Sequence, residues 1–112
     1  MRIAQRTNRD AVIFEITDEF TYSTRKEFTA AVEKVKQAGC RHLILNLRLV
    51  TFIDSAGIGL IALTAQQFQI EHRTLSLVGA QGTVKQTLEL ANIPKMVPLY
   101  PTDEAAVARR AA

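Results

Sequence analysis

Leu43-Ile44-Leu45-Asn46-Leu47, followed closely by Thr51-Phe52-Ile53-Asp54-Ser55-Ala56-Gly57-Ile58-Gly59, is the stretch that decides the fold. The first run is apolar at successive positions rather than alternate ones. A strand of that kind has both faces covered, as in the middle of a largely parallel sheet. Residues 41–48 are therefore expected to form a central strand, and residues 49–53 to carry the chain out of the sheet. Asp54 has the side chain of a helix N-cap, which accepts from the free amides of a first turn. Ile58, Ile61, Ala62, Ala65 and Phe68 recur with helical spacing, so a helix is expected from there to about Glu71. Gly57 and Gly59 each cost that helix roughly 1 kcal/mol relative to alanine. Small residues held at such a cost imply close helix–sheet packing or the close approach of a partner.

Outward from this stretch the pattern repeats. Residues 2–6 and 11–17 read as two strands joined by the turn-forming Thr7-Asn8-Arg9-Asp10, an antiparallel hairpin. Thr24 and Glu27 have the spacing of a capping box. Phe28, Ala31, Val32 and Val35 follow as one buried helical stripe, and Gly39 ends it. Downstream, Thr74–Gly79 reads as a strand. A helix from about Thr83 has Gln86 at capping-box spacing, with Asn92 in the left-handed position at its end and Pro94 beyond it. Met96–Tyr100 reads as an edge strand, because Pro98 cannot donate to a ladder. Thr102 caps a last helix with Asp103 and Glu104 in its first turn and Arg109 and Arg110 in its last, which suits the helix dipole. The order β β α β α β α β α predicts a single α/β domain over residues 1–112. Its sheet is mixed but largely parallel, with about five strands and about four helices.

Composition removes several function classes. The 112-residue chain has a formal charge of +3, and its basic residues are scattered in runs no longer than two. It has no tryptophan and no basic face with aromatics to stack on, so nucleic-acid binding is not expected. No apolar run is long enough to span a bilayer, and the N-terminus lacks a signal-peptide core, so direct membrane insertion is not expected and the location is expected to be cytoplasmic. The single cysteine, Cys40, excludes an internal disulfide and fits a reducing compartment. His42 and His72 lack metal-ligand spacing, so neither a metal nor another cofactor is expected. Ser55 is not in a G-x-S-x-G elbow, and Gly79-Ala80-Gln81-Gly82-Thr83-Val84-Lys85 does not satisfy the phosphate-loop pattern. No catalytic residue is identified, and the chain is not expected to be an enzyme.

The turn at Asp54–Gly59 remains. A strand end, a short loop and a helix start place a small hydroxyl at Ser55, flanked by Ala56 and Gly57. Free backbone amides and the positive end of the helix dipole lie there. A phosphate on Ser55 would suit that local field and would add about −1.5 to −2 charge at pH 7. A partner packed on the small surface would then meet bulk and charge it had not accommodated. The residues alone also allow a plainer reading, in which Asp54-Ser55 is a good cap and Ser55 is merely solvated.

Leu45-Asn46-Leu47, then Leu49-Val50-Thr51-Phe52-Ile53-Asp54-Ser55-Ala56-Gly57-Ile58-Gly59, resembles the signature of STAS domains, in particular the single-domain bacterial anti-sigma factor antagonists. Val12 to Thr24, Leu75–Val78, Val84–Ala91 and Met96–Tyr100 fall where that family has corresponding elements. The resemblance implies a partner-switching module, a ligand and substrate rather than an enzyme. Ser55 would be phosphorylated by an ATP-using protein serine kinase, often the anti-sigma factor itself, and reset by a PP2C-type phosphatase. Asp54, Ala56 and Gly57 would support the phosphosite, and Asp18, Thr21 and Ile58 would meet the partner. The chain departs from the family in Asp18-Glu19-Phe20-Thr21. Asp18 stands where a turn glycine is usual, and Thr21 where an acidic residue is usual. Asp tolerates turn conformations, but the change bears on the partner's identity and on the sigma-factor output. A rival reading is an unphosphorylated STAS accessory subunit of a membrane lipid-transport ATPase. A monomer or weak dimer is expected.

Overall fold

A computed structural model describes residues 1–111, with side-chain surroundings given through Ala108. Its elements are β1 (Arg2–Asn8), β2 (Ala11–Phe20), α1 (Arg25–Gln37), β3 (His42–Ile53), α2 (Ser55–Ile70), β4 (Thr74–Val78), α3 (Gly82–Leu90), β5 (Leu99–Tyr100) and α4 (Asp103–Ala111). Single 3-10 turns lie at Tyr22–Thr24 and Ile93–Lys95. The five strands run β1-β2-β3-β4-β5 across one sheet. β1 is antiparallel to β2, and every other neighbouring pair is parallel. This is the mixed α/β sheet that the alternation of elements implies.

The apolar run in β3 is buried on both sides. Leu43, Leu45 and Leu47 join a large core with Phe14, Phe28, Ile61, Phe68 and Leu77. Phe20 and Phe28 pack within it at a ring separation of 4.8 Å. Ile44 faces the opposite way into a smaller cluster with Ala11, Ile13, Val78, Ala106 and Val107 of α4. Asn46 is the polar exception in this run. It is buried, and its amide donates to Asp103 at 3.0 Å while its oxygen accepts from the Arg48 amide. Asp103 also pairs with Arg6. It therefore anchors α4 to β3 and β1, beyond the dipole role that its position suggests. The side chains of Arg109 and Arg110 lie outside the described residues.

Several local expectations need correction. Residues 49–53 do not leave the sheet. β3 continues to Ile53, paired with a β2 that itself runs to Phe20 rather than Thr17. The register slips between Glu15 and Thr17 and again between Asp18 and Glu19, each time with one extra residue on β3. These bulges break the two-residue alternation on which a strand is recognised. They leave Leu49 and Phe52 exposed and bury Val50 and Ile53.

Neither expected capping box forms. Thr24 Oγ1 accepts from the Thr21 amide at 3.0 Å and donates to the Thr21 carbonyl at 3.0 Å, so it closes the preceding 3-10 turn instead of pairing with Glu27. α3 is entered from Gln81, which makes no side-chain cap bond, rather than through Thr83 and Gln86. β5 is shorter than Met96–Tyr100, because Ile93–Lys95 forms a 3-10 turn and pairing is limited to Leu99 and Tyr100.

Other local readings hold. Gly39 has a φ of +92° beyond α1, and the Cys40 amide reaches back to the Val35 carbonyl at 3.0 Å. Asn92 takes the left-handed conformation after α3. Thr102 Oγ1 accepts from the Ala105 amide at 3.1 Å.

Candidate functional site

The site forms where β3 turns into α2. Asp54 has an extended backbone, with φ −102° and ψ −177°, and its carboxylate accepts from the Gly57 amide at 2.8 Å. The other carboxylate oxygen accepts from the Tyr22 amide at 3.1 Å. The Asp54 amide donates to the Phe20 carbonyl at 3.3 Å. One residue thus caps α2 and ties it to the end of β2 and the 3-10 turn after it. These amides, Gly57 foremost, hold the Asp54 carboxyl below the ordinary carboxylate range.

Gly57 is buried against that same segment. A Cβ on Gly57 would sit 2.4 Å from the Phe20 carbonyl oxygen and 2.9 Å from side-chain atoms of Ile53 and Phe20. Any side chain there would push the helix off the sheet. Gly59 is different, because a Cβ there would meet nothing within 4 Å. The two glycines of the first turns therefore have separate explanations. Gly57 permits close packing inside the domain, and Gly59 faces outward.

Ser55 is the first residue of α2 and is exposed. Since Asp54 does the capping, the Ser55 hydroxyl is not needed to close the turn. Ala56 is half-buried beside it. Ile58 is half-buried and packs on the main core, so much of its side chain faces inward.

Asp18 is exposed with φ +69°, the left-handed conformation that a glycine would adopt most easily and that Asp tolerates. It lies at the second slip between β2 and β3. Thr21 is only 8% exposed. Its side chain is buried, because the chain turns inward there to close the 3-10 turn.

Tyr22, which sequence reasoning missed, takes the outward position. It is 59% exposed, and the Arg25 guanidinium lies 3.6 Å from its ring centroid and donates to its carbonyl at 2.7 Å. No local motif marks Tyr22. The bond from its amide to Asp54 brings it to the site.

Among the described residues, no group of three or more His, Cys, Asp or Glu side chains could hold a metal ion. His42 is fully buried with Nε2 2.9 Å from Ser76 Oγ, and His72 is exposed just beyond the end of α2. Cys40 is buried, and burial pushes its thiol pKa up. No helix among the described residues is long and apolar enough to cross a membrane.

The geometry has clear relatives. An anti-sigma F factor antagonist of Paenibacillus polymyxa is 21% identical over 101 residues, covering 89% of this chain and 86% of that protein. The crystal structure of an anti-sigma factor antagonist from Mycobacterium paratuberculosis superposes with a TM-score of 0.86 at 21% identity, covering 96% of this chain and 92% of that one. The Bacillus cell fate determinant SpoIIAA in its phosphorylated form gives a TM-score of 0.73 at 17% identity, over 96% and 98% of the two chains. These structural likenesses carry the fold. The STAS domain model matches residues 2–106, nearly the whole chain, and the chain belongs to the STAS domain family.

Proposed function

We propose that this chain is an anti-sigma factor antagonist-type partner-switching regulator, controlled by reversible phosphorylation of Ser55. The observation that carries the reading is the division of labour at the start of α2. Asp54 caps the helix and Gly57 seats it, while Ser55 stands exposed on a turn that is held in place without it. The curated relative named for antagonism of an anti-sigma factor supports the same reading.

The partner is a protein serine kinase that also acts as an anti-sigma factor. In the unphosphorylated state the surface around Ser55, next to the Tyr22 turn that Asp54 holds, is small enough for close docking, and exposed Asp18 adds to the partner's contact. The kinase transfers the γ-phosphoryl group of ATP to Ser55 Oγ. The product carries about −1.5 to −2 charge next to the Asp54 carboxylate and on a surface that had been close-packed. Docking is lost with little internal movement, and a PP2C-type phosphatase restores it. The regulator is substrate and ligand in this cycle and performs no chemistry itself.

The test is co-expression with serine kinases encoded beside the gene, followed by intact-mass measurement. One phosphate per chain is expected, absent in Ser55→Ala. Ser55→Asp is expected to weaken kinase binding at least ~10-fold, about 1.4 kcal/mol, with the thermal transition unchanged. Copurification with a membrane lipid-transport ATPase, indifferent to Ser55→Asp, would overturn the switch in favour of an accessory subunit.

A further inference from the structure

The outward face of α2 is not explained by the domain's own packing. The sixteen residues Ser55–Ile70 include no charged side chain, in a chain that is 22% charged. Ser55, Gly59, Leu63, Gln66 and Ile70 fall on one side of the helix by its 3.6-residue period, and all are exposed. Leu63 is 50% exposed and Ile70 78% exposed. Exposed helical faces ordinarily carry charge, whereas loss of charge marks the centre of a protein contact. Gly59 adds an independent sign. Its glycine costs helix propensity, yet no atom of this domain occupies the space a side chain would take.

We propose that this face pairs with the same face of a second copy of the chain, the two α2 helices running antiparallel. The two-fold axis passes at the level of residue 61, midway between Gly59 and Leu63. Each Leu63 then projects over the gap at Gly59 of the other copy, so the face is complementary to itself. An uncharged face meets its own image without like-charge contact, and it offers a charged partner nothing to pair with. A single helix pair buries less than about 1,000 Å², which makes the dimer weak and transient. Ser55 lies inside the contact, opposite glutamines of the second copy, so pairing withholds it from other proteins. That consequence for the kinase rests on the phosphoregulatory reading, whereas the pairing does not.

Sedimentation equilibrium of the full chain from about 10 μM to about 1 mM tests the pairing. The unmodified chain is expected to shift toward a dimer across this range. Leu63→Lys and Gly59→Gln, each checked for an intact thermal transition, are expected to weaken association at least ~10-fold. Association is read on the purified chain with no kinase and no phosphate present, which separates this test from that of the switch. A chain that stays monomeric at about 1 mM, or a dimer that neither substitution weakens, would overturn the proposal.

Discussion

The helices α2 and α3 both follow a parallel strand, yet their first turns are held differently. α2 is capped by the Asp54 carboxylate, which also reaches across to the Tyr22 amide. α3 starts from Gln81, which spends its side-chain amide elsewhere, donating to the Arg48 carbonyl at 3.1 Å. The α2 turn is locked against the end of β2 by a glycine with no room for a side chain, whereas Gly82 in the α3 turn has open space around its Cβ position. One helix start is therefore a fixed platform and the other is merely a turn. A residue that is to be modified and read by partners needs the former, because its position must not depend on its own hydroxyl.

The sharpest way to break this comparison is at Gly57. Gly57→Ala forces a Cβ against a backbone carbonyl and is expected to destabilise the domain by about 3 kcal/mol in denaturant unfolding. Gly59→Ala, two residues on, is expected to stabilise it by about 0.5–1 kcal/mol, since that position has space and helical geometry. If both substitutions behaved alike, the distinction between the inward and outward glycines would fail.

A smaller effect is expected from the caps. Asp54→Ala removes a cap and a cross-link and should cost about 1–2 kcal/mol, whereas Gln81→Ala should stay within about 0.5 kcal/mol in the same unfolding assay. Equal losses would mean that the two turns are held alike.

The smallest expected effect is a pH dependence confined to the α2 turn. The folded-state pKa of Asp54 is depressed by the amides it accepts from, Gly57 first. Its contribution is therefore fully present above the unfolded value of about 3.9 and is lost as pH falls through the folded value. The stability difference between the unmodified chain and Asp54→Asn is expected to be greatest near neutral pH and to shrink on acidification. Gln81→Ala is expected to show no such trend, and a difference independent of pH would remove the charge from the account.

Much of the fold was legible because both of its periodicities are local. Leu43 to Leu47 announced a strand covered on two sides, and the α1 stripe through Phe28, Val32 and Val35 announced its helix. The bulged half of β3 was not legible. Two inserted residues shift the alternation, so Leu49–Ile53 reads as a loop although it stays paired with β2. The capping pairs failed for a similar reason. Thr24 had two possible partners within three residues, and the chain before it turned inward so that Thr21, not Glu27, was the nearer one.

The site divides along the same line. Asp54 as cap and Ser55 as the small hydroxyl after it depend on residues next to one another, and sequence by itself determined them. What Gly57 is for and why the Tyr22 turn is tied to Asp54 depend on contacts between segments more than thirty positions apart. Tertiary structure decided those, because a glycine records only that a side chain is absent. Which surface comes close enough to require that absence, the Phe20 carbonyl at Gly57 or open space at Gly59, is settled only when the chain has folded.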